Sequence, residues 1–92
     1  MNLNSVVHAR SGNLTAEVQR ETVILDAASG KYFGLNDVGA RIWQLLQAPV
    51  AIETIVARLV QEYAVEYDAA ASDVLRLMDE LTGAGLVLVS SE

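Results

Sequence analysis

The sequence has no cysteine, and only one histidine, one proline, one tryptophan and one phenylalanine. Without cysteine there can be no disulfide, no thiolate metal ligand and no cysteine nucleophile. The lone histidine, His8, stands in a polar N-terminal stretch with no acid at a useful local spacing. A general base or metal ligand needs partners held by a rigid scaffold, so His8 reads as solvent-exposed. Cations are scarce as well: six Lys and Arg face twelve Asp and Glu, for a net charge of −6. Phosphate neutralisation supplies most of the affinity of nucleic-acid binders. The charge therefore argues against DNA, RNA and an anionic membrane surface. No apolar run approaches the ~20 residues of a membrane helix, and MNLNSVVHARSG lacks the apolar centre of a signal segment. A cytoplasmic protein is expected.

What the chain does have is apolar content: 52% of its 92 residues are hydrophobic, enough for one modest core but not two. Residues 1–13 are polar apart from Val6-Val7 and end in the turn-forming SGN, so they read as a flexible arm before a single domain over 14–92. LTAEVQ and TVILDA are strand-like runs, with Arg20-Glu21 as a tight hairpin between them. AASG turns the chain into a third short strand, KYFGL. Asn36 or Asp37 can cap the helix that follows, which aligns Val38, Ile42, Leu45 and Leu46 with Trp43 beside them and ends before Pro49.

The segment AIETIVARLVQEY carries Ile52, Ile55, Val56, Leu59, Val60 and Tyr63 at helical spacing. Asp68 can cap a third helix with Val74, Leu77, Met78 and Leu81 inward, closed by Gly83 or Gly85. LVLV at 86–89 is a short final strand or a docked apolar tail. The expected fold is α+β, with a three-stranded antiparallel sheet followed by three helices.

Catalytic patterns are missing. Glu53, Glu62, Asp73, Asp79 and Glu80 are spaced as solvated helix faces. The serines have no nucleophile-elbow context, and SGKYFG is neither a phosphate loop nor a dinucleotide fingerprint. No enzyme activity, metal or cofactor is expected. What remains is surface shape. Leu75 widens the apolar stripe of the third helix, so Ala71, Leu75, Met78 and Asp79 could form one wall of a groove. The strand Lys31, Tyr32, Phe33, Gly34 and Leu35 would be the other wall. If that strand is a sheet edge, its free amides and carbonyls are a template for an extended peptide. Whether Tyr32 or Phe33 would face the groove depends on register.

The run VILDAASGKYFGLNDVGARIWQLL, followed by IETIVARLVQEYAVEYDAAASDVLRLMDELTGAGLV, resembles the PqqD-like family, also called the RiPP recognition element. The resemblance rests on Leu25-Asp26, Ser29-Gly30, the aromatic strand into Leu35-Asn36, Gly39 and Trp43, then Asp73-Val74, Leu81 and Gly85-Leu86. It covers roughly residues 15–89. The resemblance implies a winged-helix-like fold without catalysis of its own. It also implies binding of the leader of a ribosomally made precursor peptide, added as a strand along the third strand and packed against the third helix.

Two branches of the family fit a free-standing chain of this size. The branch from lasso-peptide clusters is the more similar, and there the implied partners are a precursor leader and a transglutaminase-like cysteine protease. The other is the pyrroloquinoline-quinone chaperone, which works with a radical SAM enzyme. Two readings of another class compete. In a DNA-binding winged helix, residues 68–83 would be the recognition helix, but four carboxylates there face the single cation Arg76, and phosphate would repel it. The other is a dimerisation module that pairs the same edge strand with itself.

Overall fold

The computed structural model describes residues 1–19 and 21–91. Two three-stranded antiparallel sheets flank three helices, an α+β arrangement of winged-helix-like character. The elements run β1 (Val6–Ala9), β2 (Asn13–Val18), β3 (Glu21–Asp26), β4 (Tyr32–Leu35), α1 (Asp37–Leu45), β5 (Val50–Ala51), α2 (Ile52–Tyr63), α3 (Tyr67–Gly83) and β6 (Val87–Ser91).

The expected meander is sheet β2-β3-β4. Its first turn was expected at Arg20-Glu21, and Arg20 lies outside the described residues. The second sheet, β5-β1-β6, departs from expectation. Residues 1–13, expected as a flexible arm, contain its central strand. Val7 pairs with Val50 on one side and Val89 on the other and is fully buried. The pair Val6-Val7 is too short to signal a strand, and only partners far along the chain make it one. His8 accordingly lies half-buried on β1 opposite Leu88, and its buried Nδ1 has no hydrogen-bond partner among the described residues.

The turn into β4 is organised by Asp26. Its carboxylate accepts from the Ser29 hydroxyl (2.8 Å) and the Ala28 N–H (3.2 Å), while the Gly30 N–H donates to the Asp26 carbonyl (2.8 Å). Gly30 has φ +73, a conformation open to glycine at little cost. The Ser29 hydroxyl, then the Ala28 amide, hold the Asp26 carboxyl below its ordinary range.

Asn36 is the N-cap of α1: its Oδ1 accepts from the Gly39 N–H at 2.8 Å. For α3 the cap position is Glu66, two residues before the expected Asp68, and it makes no side-chain bond. Asp68 lies in the first turn, where its charge complements the helix dipole. At the far end, Leu86 N–H bonds to the Leu81 carbonyl and Gly85 N–H to that of Thr82, closing the helix in a Schellman motif. Trp43, Ile52, Ile55, Val56, Val74 and Met78 are buried in one core that also takes Val7, Ile24 and Val87 from the strands.

Candidate functional site: a groove beside an edge strand

β4 is an edge strand, hydrogen-bonded to β3 alone. Its register answers the question of which aromatic faces inward. Phe33 lies opposite the fully buried Ile24, and Tyr32 opposite Leu25. Directly paired residues share a face, so Phe33 packs half-buried against the core while Tyr32 is 73% exposed on the outer face. Neither ring lines the groove.

The groove opens beside the C-terminal end of β4, with a cavity volume of about 490 Å³. Gly34, Leu35 and Asn36 line one side, and Val38, Gly39 and Ile42 of α1 continue it. Leu59 and Tyr63 of α2, with Val65, close the end. The α3 wall consists of Ala69, Ala70, Asp73, Val74, Arg76, Leu77 and Glu80. These residues recur at intervals of three and four, and so occupy one flank of the helix.

That is the flank opposite to the one carrying Leu75. Ala71 and Leu75 do not line the groove; they are half-buried against the core. Met78 is fully buried among core side chains, and Asp79 is exposed outside the groove. Of the nine expected residues, the groove brings together only Gly34 and Leu35, while Lys31, Tyr32 and Phe33 remain on the adjoining strand and turn. An apolar stripe has two flanks, and Leu75 made one conspicuous. The other is marked by small and charged residues, Ala69, Asp73 and Glu80, whose types carry no signal of a wall.

The interior of the groove is mostly aliphatic and its rim is charged. On the rim Arg76 Nη2 meets Asp73 Oδ1 at 2.8 Å, with both side chains about 70% exposed, so the pair contributes little to stability. Glu80 stands without such a partner among the described ion pairs, which leaves an acidic bias. Behind the groove, Arg41 of α1 grips Glu62 of α2 through two bonds, Nε–Oε1 at 2.8 Å and Nη2–Oε2 at 2.9 Å. This contact holds the Arg41 guanidinium more firmly charged and the Glu62 carboxyl below its usual range. It ties together the two helices that contribute Ile42 and Leu59. No group of metal-ligating side chains occurs among the described residues. No helix there is long and apolar enough to cross a membrane.

A family model described as Coenzyme PQQ synthesis protein D (PqqD) matches residues 21–87. The chain belongs to the PqqD family. The PqqD match runs from the start of β3 to the first residue of β6, so it contains both walls of the groove and leaves β1 and β2 outside. No curated protein gave a match to the sequence. Among solved structures, this PqqD-family chain is similar to "TbiB1 in Complex with the TbiA(beta) Leader Peptide", at 29% identity and a TM-score of 0.80. The likeness covers 92% of this chain and 99% of that one. It is also similar to "Lasso peptide synthetase B1 complexed with the leader peptide", at 32% identity and a TM-score of 0.77, covering 89% and 96%.

Proposed function

We propose that the protein is a non-catalytic carrier for the leader of a ribosomally made precursor, that of a lasso peptide. In this reading the leader adds as a strand to the free edge of β4 over Lys31 to Leu35, and its apolar side chains enter the groove against Ala69, Asp73 and Leu77. The observation that carries the reading is a free strand edge opening directly onto an apolar groove. Main-chain bonds along such an edge contribute only about 0.5–1.5 kcal/mol each, so side-chain burial must complete the affinity. The groove's volume suits a few aliphatic or aromatic side chains. Its acidic rim favours a leader with a basic residue next to those anchors. This reading takes the flank of α3 that lines the groove rather than Ala71, Leu75, Met78 and Asp79, none of which borders the cavity. The two structural relatives, each described with a leader peptide, support the reading.

The carrier would work in the cytoplasm, handing the leader to a separate transglutaminase-like cysteine protease. The description of the matching family favours a second reading, a peptide chaperone of pyrroloquinoline-quinone synthesis serving a radical SAM enzyme. Fluorescence anisotropy separates them: the protein is titrated into labelled leaders of a lasso precursor and of the quinone precursor encoded in its own genome. Saturable binding of the lasso leader alone is the expected result. Binding of neither leader removes both readings.

A further inference from the structure

β4 is one of two free edges of its sheet; the other is β2, hydrogen-bonded to β3 alone among the described residues. Antiparallel ladders alternate between pairs that exchange main-chain bonds and pairs that do not. The Asp26 N–H donates to the Lys31 carbonyl at 2.9 Å, so Asp26, Ile24 and Thr22 turn their main-chain groups toward β4. Leu25, Val23 and Glu21 then turn theirs toward β2, onto Leu14, Ala16 and Val18. The amides and carbonyls of Asn13, Thr15 and Glu17 are left pointing away from the sheet.

Such an edge is ordinarily blunted by a lysine, a proline, a bulge or simple brevity. β2 has none of these. It runs six residues in unbroken register with β3, its single charge is Glu17, and Leu14 to Val18 are exposed. Leu14 on one face and Thr15 on the other are both uncovered, so the strand overhangs the core and is open to a partner strand.

The sequence of β2 fits an antiparallel copy of itself. A two-fold pairing centred on Thr15 sets Thr15 against Thr15 of the second copy, Asn13 against Glu17 and Leu14 against Ala16. Asn13, Thr15 and Glu17 then all fall in bonded pairs, about six main-chain hydrogen bonds in total. Opposed threonines are a favourable cross-strand pair. Asn13 Nδ2 gives one hydrogen to the Arg10 carbonyl at 2.8 Å, leaving the other for the opposing Glu17 carboxylate. The two Glu17 carboxylates stand four residues apart along the ladder, about 13 Å, beyond the Debye length of ~8 Å at physiological salt. On the outer face, Leu14 and Leu25 of one copy continue into Ala16 and Val23 of the other.

We propose that the protein associates weakly with a second copy of itself through β2, joining two three-stranded sheets into one. An edge-to-edge contact of this length buries less than the ~1,200 Å² of a stable interface, so the association is transient and set by concentration. It leaves β4 free at both ends of the joined sheet, and the pair presents two grooves facing outward. The pairing does not depend on what the groove binds.

The test is sedimentation velocity of the full chain, wild type and Thr15→Pro, over concentrations that extend into the millimolar range. Proline at 15 removes an N–H that β3 does not use, which an edge position tolerates, yet it deletes both central bonds of the pairing. The expected result is a wild-type mass that climbs toward twice that of the monomer, and a variant that stays monomeric throughout. Should Thr15→Pro fail to fold, Thr15→Lys takes its place, because it sets a charge against its own copy. A wild-type chain that remains monomeric at every concentration overturns the proposal. So does a dimer that persists in the folded variant, which would assign the contact to β4, β6 or a sheet face.

Discussion

A Cβ placed on Gly39 would stand 3.2 Å from both Cβ and Cδ2 of Leu35. The first turn of α1 and the end of β4 therefore approach so closely that a methyl at 39 requires Leu35 to give by a few tenths of an ångström, and both residues line the groove. Alanine at 39 would gain up to about 1 kcal/mol of helix propensity. The contact opposes it, because Leu35 Cβ is fixed to the strand backbone and cannot swing aside. Overpacking of this kind costs about 1–3 kcal/mol. Gly39→Ala is expected to lower stability in urea titration by about 1–2 kcal/mol and to weaken leader binding. A midpoint at or above wild type would show that β4 yields freely.

The two flanks of α3 can be separated directly. Ala69 is exposed and lines the groove, whereas Asp79 is exposed outside it. Ala69→Glu fills the groove without removing core contacts, and leader affinity is expected to fall about 10- to 100-fold. Asp79→Lys is expected to leave affinity within about twofold. The reverse ranking in an anisotropy titration would return the site to the flank of Leu75.

Trp43 is 6% exposed and belongs to the core. Trp43→Ala is expected to cost about 3–5 kcal/mol through the cavity left behind, read as an earlier unfolding midpoint. An unchanged midpoint would mean that the ring contributes no packing.

Acid should loosen the turn before β4. The Asp26 carboxyl titrates below its ordinary value because the Ser29 hydroxyl and the Ala28 amide favour its charged form. A carboxyl lowered on folding stabilises the fold above its unfolded pKa, and the contribution disappears as pH falls through the lowered value. Asp26→Asn should therefore melt earlier than wild type at neutral pH. The gap should close progressively below about pH 4, the ordinary range of an aspartate. A gap that stays constant across this range would show that the charge plays no part.

Local pattern made much of this legible. The cap at Asn36, the strand Tyr32–Leu35 and the stripe Ile52, Ile55, Val56 and Leu59 each declare themselves within a dozen residues, through side-chain chemistry and spacing. What escaped depends on contacts between distant segments. Val50-Ala51 is a strand only because β1 lies beside it. Val38 and Tyr63, each at helical spacing with a core stripe, stand at its margin and line the groove instead. The flank of α3 that lines the groove differs from the one expected, because hydrophobicity marks what a helix buries. Which margin of the buried stripe faces β4 is decided by how the helix is docked, and no residue on the helix records that.

The pairing of β1 with β6 also bears on how the chain acquires its fold. The Ser90 hydroxyl donates to the Val6 carbonyl across 84 residues of sequence, and Val7 lies opposite Val89 in the same ladder. On the ribosome, β1 emerges long before its partner β6. Closing so long a loop carries an entropic cost before any contact repays it. Until β6 arrives, β1 has only the two-residue strand β5 beside it, so the sheet is completed by the pairing of its two most distant strands.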